Sequence, residues 1–118
     1  MTVPMSGLTV RWSLAGCPAG VPDELIAYVA DSSHRRFQGA ATLRFKTWRM
    51  RRDDWFEGCY VFADPEARSA FQESFTATAA QSPVSQIVGS APMLIEACEI
   101  VGIAEGAESF TSAASYDG

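Results

Sequence analysis

Thr42-Leu-Arg-Phe-Lys-Thr-Trp-Arg-Met50, then Arg51-Arg-Asp-Asp54, then Trp55-Phe-Glu-Gly-Cys-Tyr-Val-Phe62 is the stretch that decides how this chain folds. Both outer runs are rich in aromatic and β-branched residues with polar residues interleaved at period two. The four residues between them are all charged. Two such runs about a polar connection predict a β-hairpin. Alternate residues of a strand point the same way, so Arg44, Lys46 and Trp48 share one face of its first strand. Gly58 interrupts the second strand, where glycine marks a bulge or a close backbone approach. Asp64-Pro65-Glu66 follows at once, with Asp64 suited to cap a helix and Pro65 to its first position.

Upstream, Leu8 to Leu14 alternates as a first strand, with Val10, Trp12 and Leu14 on one face and Thr9, Arg11 and Ser13 on the other. Ala15 to Gly20 is turn-rich. Pro22-Asp23-Glu24 opens a helix whose apolar stripe is Leu25, Ile26 and Val29, joined by Tyr28. That helix is expected to fade near Ser32 or Ser33, with His34, Arg35 and Arg36 near its end and Gly39 stopping it. Downstream, Ala67, Ala70, Phe71, Ser74, Phe75 and Thr78 recur at helical spacing to about Ala80. Val84 to Ser90 reads equally as a loop or a short helical turn. Pro92 to Val101 is the fourth strand.

The order β-α-β-β-α-β predicts an α+β, ferredoxin-like fold: a four-stranded antiparallel sheet with two helices on one face. Residues 1–103 form one domain, and residues 104–118 are expected to be a flexible tail or an arm over a partner subunit. The face without helices, carrying Trp48 or its neighbours and either Phe62 or Val61, needs a cover. A second copy of the sheet supplies one, which predicts a homodimer closed as a barrel.

The composition sets limits on function. A chain of 118 residues with 47% hydrophobic and 19% charged residues is a single folded domain. A domain this small buries only about 65% of its unfolded surface, which leaves apolar area for an interface. No apolar run approaches the roughly 20 residues of a membrane span, and the N-terminal residues lack a signal peptide's basic and apolar regions. A cytoplasmic protein without membrane or nucleic-acid partners is expected, the latter because the net charge is −5. Residues 1–63 carry eight basic and six acidic residues (8 − 6 = +2), and residues 64–118 one and eight (1 − 8 = −7). Such asymmetry fits complementary patches in a dimer, or simply unequal faces. Cys17, Cys59 and Cys98 form no C-x-x-C pair, and Cys59 and Cys98 read as small buried apolar residues rather than nucleophiles. His34, the only histidine, makes neither a metal site nor a catalytic triad. No phosphate loop, dinucleotide fingerprint or zinc motif is present. No cofactor is expected.

Phe45-Lys46-Thr47-Trp48, followed by Gly58-Cys59-Tyr60-Val61-Phe62-Ala63-Asp64, resembles the core of the YdhR-type family, whose members are described as mono-oxygenases. That family shows a K-x-W strand, then G-G-x-Y-x-F-x-D, then a helix. The resemblance runs from Leu8 to about Gly102. Glu57 stands where the family has its first glycine, and the hairpin loop is slightly shorter. The resemblance implies a ferredoxin-like chain that dimerises into a shared barrel.

Strand parity nominates the site. The more apolar set, Val10, Trp12, Leu14, Leu43 and Phe45, should face the helices. Arg11, Ser13, Arg44, Lys46 and Trp48 would then face the barrel interior, joined by Tyr60, with Glu96 and Cys98 together on the fourth strand. Lys46 and Tyr60 are the catalytic candidates, and Trp48, Arg11, Arg44 and Glu96 the binding candidates. Together they would suit an anionic aromatic or polyketide-like ligand. Equally, Lys46, Arg44 and Glu96 could be interface ion pairs, with Trp48 and Tyr60 simply packed there. Three functions stay open: a cofactor-independent mono-oxygenase, a cyclase or isomerase of secondary metabolism, and a non-catalytic small-molecule-binding dimer.

Overall fold

The computed structural model describes residues 4–114. Strand β1 (Ser6–Ser13) leads to helix α1 (Val21–Tyr28), which widens into a π-helical turn (Val29–Ser33) and continues as α2 (His34–Phe37). The hairpin is β2 (Leu43–Arg51) and β3 (Trp55–Phe62). Helix α3 (Pro65–Ala77), a 3-10 turn (Ala79–Gln81), α4 (Pro83–Val88) and β4 (Leu94–Glu99) complete the order. The strands form one antiparallel sheet, β2-β3-β1-β4, with helices on one face. This is the ferredoxin-like α+β arrangement that the sequence predicts.

The chemistry of the turns accounts for most boundaries. The hairpin tip turns at Asp53, whose φ of 66° lies in the left-handed region that Asp tolerates. Asp64 caps α3, its Oδ1 accepting the Ala67 N–H at 2.7 Å. Asp23 and Glu24 occupy the first turn of α1 behind Pro22. The ambiguous segment after Ser82 is helical, because the Ser82 hydroxyl caps α4 and Gly89 ends it at φ 87°. The first helical segment does not fade near Ser33. Its π turn carries it on to Phe37, and Gly39 at φ 79° follows. Helix α3 ends at Ala77, three residues short of expectation, and β4 is trimmed to Leu94–Glu99. Beyond β4 no helix or strand forms among the described residues. Residues 115–118 of the predicted tail lie outside those described.

The core lies between the sheet and the helices. Leu8, Val10 and Trp12 of β1, Leu14 just beyond it, and Phe56, Tyr60 and Phe62 of β3 meet Leu25, Val29, Val84 and Val88. Fully burying a side chain of this kind stabilises by about 1.5–3 kcal/mol. Trp12 also locks the layers together. Its indole N–H donates to Ser85 Oγ at 2.9 Å, and that hydroxyl donates to the Ala79 carbonyl at 2.6 Å.

One irregularity at the start of β2 decides what lies on which face. Leu43 pairs with Phe62 and Phe45 with Val61, so Arg44 is an extra, unpaired residue. A one-residue bulge flips the parity of everything beyond it. Lys46 therefore pairs with Tyr60 and Trp48 with Gly58, on the helix-covered face. This corrects the expectation that Lys46 and Trp48 look away from the helices and Phe45 toward them. The bulge lies at Arg44, not at Gly58. Gly58 is instead a point of close approach: a Cβ there would sit 3.2 Å from Lys46 Cε and 3.3 Å from Tyr60 Cε1.

Candidate functional site

The parity change divides the six nominated residues. Lys46, Trp48 and Tyr60 come together in a cavity of about 290 Å³ between sheet and helices. Arg11 and Glu96 lie on the opposite, open face of the sheet, paired in register with Glu57 and Thr9 respectively. Arg44, exposed at the bulge, lies outside that cavity and borders an adjoining broad groove of about 1200 Å³ along the edge strand β2, which shares Phe37, Lys46 and Trp48 with it. The expectation of one concave site holding all six is corrected.

In the cavity, Lys46 is enclosed by rings. Its Nζ lies 3.8 Å from the Phe37 ring centroid, 4.3 Å from that of Tyr60 and 4.5 Å from that of Trp48. Each element supplies one part. Strand β2 presents Lys46 and Trp48 two residues apart, and β3 places Tyr60 opposite Lys46. The π turn and α2 bring Ser33, Arg36 and Phe37 over them, while α3 adds Phe71 and Phe75. The Trp48 indole N–H donates to the buried Ser33 Oγ at 3.1 Å, which ties the π turn to the sheet. Tyr60 stacks on Phe62 with centroids 5.7 Å apart and tilts against Phe71 at 4.9 Å.

Ionisation of the two candidate catalytic groups follows from this environment. Burial, and then the positive charge of Arg36, hold the Lys46 amine well below its usual range. The three ring faces favour the ammonium by about 0.5–2 kcal/mol each, but they carry no formal negative charge. Burial pushes the Tyr60 phenol far up, so it stays protonated. Neither group makes a hydrogen bond or ion pair among the described residues. No fully buried side-chain polar atom lacks a partner, so both reach the cavity space.

The open face is built differently. Glu57 occupies the centre of β3 with 0% exposure. Arg11 Nε and Nη2 donate to its Oε2 at 2.9 and 2.8 Å, and Arg49 Nε donates to its Oε1 at 2.7 Å. The Arg49 Nη2 group also contacts Oε1. The Arg11 guanidinium stacks on Trp55, 4.5 Å from the ring centroid. Burial alone would raise the Glu57 pKa, but the bonds from both arginines outweigh it and hold the carboxyl below its usual range. The Glu57 carboxylate is thus accommodated by two cations from neighbouring strands.

Among the described residues no three His, Cys, Asp or Glu side chains gather as metal ligands would, and no helix is long and apolar enough to cross a membrane. No protein-family model matches the chain, and no curated protein does. Among solved structures, a protein of unknown function from Nitrosomonas europaea is similar at 20% identity and a TM-score of 0.58, covering 91% of this chain and 99% of its own. That likeness shows the fold. A candidate antibiotic biosynthesis monooxygenase from Chloroflexus aurantiacus matches at 16% identity and a TM-score of 0.46, covering 85% of this chain and 96% of its own.

Sequence reasoning missed Ser33, Arg36 and Phe37, because it ended the first helix before them. A signal was present: Phe37 lies eight residues beyond Val29 and continues its stripe only if the helix runs on. Phe71 and Phe75 were recognised as core-facing, and they form the cavity wall as well.

Proposed function

We propose that this protein binds a planar anionic or phenolic small molecule in the cavity between helices and sheet, and that its chemistry there is cofactor-independent mono-oxygenation. The observation that carries the binding is the lining: eight aromatic side chains, the basic residues Arg36 and Lys46, and no carboxylate. In a chain of net charge −5, that is a local reversal of sign suited to an anion. The reaction type is supported by the resemblance of the K-x-W and G-x-Y-x-F elements, which supply Lys46, Trp48 and Tyr60.

Each residue has a role. Lys46 as the neutral amine accepts the ligand's phenolic proton and becomes an ammonium beside the phenolate, where low dielectric strengthens the pairing. Trp48 stacks on the ligand ring. Tyr60, held as the phenol, donates to a developing oxyanion. The electron-rich phenolate supplies the electrons to oxygen. One oxygen atom enters the ring to give a quinone, and the other leaves as water with the two displaced hydrogens. Arg11, Arg44 and Glu96 lie outside the cavity and have no part in this reading.

Oxygen uptake with a naphthol as probe tests the reaction, with quinone formation read by absorbance. Lys46→Met should keep the fold, lose turnover and weaken naphthol binding. Normal turnover by both Lys46→Met and Trp48→Ala would move the site elsewhere. Turnover without oxygen uptake would favour the second reading, a cyclase or isomerase in which Lys46 and Tyr60 act as base and acid alone. Binding without turnover would leave a small-molecule-binding protein.

A homodimer through the open sheet face is part of the same reading. The tail supports it: Ile103 and Phe110 are exposed apolar residues, and residues 103–114 wall the groove beside β2 without filling it. Light scattering at micromolar concentration should give twice the monomer mass. A monomer would remove the barrel.

A further inference from the structure

Lys46 is the only lysine of the chain, which otherwise uses eight arginines and no other cation but His34. Every basic position on the exposed edges and loops is thus an arginine. The one basic residue enclosed by three rings is the type that can give up its proton. A guanidinium would serve as well or better as a stacking cation, being planar, but it does not deprotonate in proteins. The exchange of arginine for lysine at this one place therefore points to the chemistry of an amine rather than of a positive charge. A lysine desolvated among apolar groups, beside a second cation, is the arrangement that produces a nucleophilic amine.

We propose that Lys46 is a covalent-binding residue that condenses with the carbonyl carbon of an aromatic aldehyde or ketone carrying a carboxylate, while Arg36 holds that carboxylate. The proposal rests on the reading above that the cavity is the ligand site. Its steps need no oxidant or reductant. The Nζ lone pair adds to the carbonyl carbon, and one amine hydrogen passes to the oxygen to give a carbinolamine. The carbon–oxygen bond then breaks and the second amine hydrogen leaves with it, so that one water departs and an imine remains.

The local geometry serves both steps. The Tyr60 hydroxyl and Lys46 Cε lie 3.5 and 3.2 Å from the position a Cβ on Gly58 would take, so both surround the space that this glycine leaves open. The Tyr60 phenol, kept protonated by burial, can pass its proton to the departing oxygen and recover it from the amine. Arg36, at the cavity wall, stacks on Phe37 with 4.9 Å to the ring centroid and forms no ion pair among the described residues. The aromatic walls select a planar ring, and a volume near the lower end of ligand pockets selects a small one. The titratable and charged groups that act on Lys46 and Tyr60 are Arg36 from α2, Tyr28 from α1 and Cys59 from β3, and the His34 ring lies 5.9 Å from that of Trp48. Helices α3 and α4 bring no charge to the cavity.

The test uses the full chain, para-carboxybenzaldehyde as probe, and cyanoborohydride to trap the imine, with intact mass and peptide mapping as readout. One adduct per chain at Lys46 is expected at neutral pH. It should form roughly tenfold or more faster than on Lys46 of the same chain in denaturant, because a tenfold gain in neutral amine accompanies each pKa step downward. Benzaldehyde lacking the carboxylate should label more slowly, and Arg36→Met should erase that difference. Lys46→Arg keeps the cation in its cage and should abolish the adduct while still binding benzoate, read by quenching of tryptophan fluorescence. Labelling at Lys46 no faster in the folded chain than in denaturant, with benzoate still bound, would overturn the imine and leave the pocket reading standing. Failure of both labelling and benzoate binding would overturn the two together.

Discussion

The two faces of one sheet handle positive charge in opposite ways. On the open face, Arg11 and Arg49 converge on a buried carboxylate, and the cluster is saturated with short hydrogen bonds. On the helix-covered face, Lys46 and Arg36 approach each other among aromatic rings without any carboxylate. Both arrangements draw on β2 and β3, with Arg11 added from β1 on one face and Arg36 from α2 on the other. What separates them is satisfaction. A buried charge that is fully paired holds the strands in register and has no capacity left for a ligand. A desolvated cation left without an anion costs stability, and it retains the capacity to bind one. The first face holds the fold together, and the second, on the function proposed above, serves recognition.

The largest test of that contrast removes both cations of the open face. Arg11→Met with Arg49→Met leaves Glu57 buried without a partner, and urea unfolding should show a loss of about 3–5 kcal/mol. A loss under about 1 kcal/mol would mean that the cluster is solvated like an ordinary surface pair. Next in size is Gly58→Ala. The new methyl meets Lys46 Cε and the Tyr60 ring at 3.2 and 3.3 Å, so about 1–3 kcal/mol of overpacking is expected, with weaker benzoate binding.

The two faces should also respond oppositely to pH. The folded-state pKa of Glu57 is depressed, so its contribution is complete above the usual carboxylate range and is lost as pH falls through the folded value. Glu57→Gln should flatten the acid limb of a stability profile. The folded-state pKa of Lys46 is depressed below 10.5. Between the folded value and 10.5 the unfolded chain holds the extra proton, so stability rises with pH in that window. Lys46→Met should remove the rise. The smallest effect on stability, within about 1 kcal/mol at neutral pH, is expected for Lys46→Met itself. The same change should lower benzoate affinity roughly tenfold or more, about 1.4 kcal/mol. A variant that loses much stability and keeps its affinity would reverse the roles assigned to the two faces.

The sequence revealed the architecture through local signals that work over a few residues: alternation in Leu8–Leu14, the charged hairpin tip, and the Asp64-Pro65 start of α3. The site was legible only in part. Lys46, Trp48 and Tyr60 were found together because they alternate along paired strands. Their face was misplaced because one unpaired residue, Arg44, resets parity, and nothing in Leu43-Arg44-Phe45 marks a bulge. Arg36 and Phe37 were missed because the first helix was ended too early. Ser32-Ser33 and the cations after them read as a helix end, whereas the π turn carries the chain on to Phe37. Glu57 looked like a defect in a glycine motif, since its two partners lie 46 and 8 residues away in sequence.

That π turn has a genetic meaning. A π turn is a helix carrying one residue more than its hydrogen bonds require. Removing a single codon from the segment encoding Val29–Ser33 would restore an ordinary helix and leave every strand untouched. The wide turn absorbs the surplus residue, so α1 and α2 would keep their bearing, and the change would fall on the turn itself, which carries the Ser33 bond to Trp48. One in-frame deletion would thus reshape the wall beside Lys46 without disturbing the sheet. Descendants of this scaffold could gain or lose chemistry by changes in length as readily as by changes in side chain.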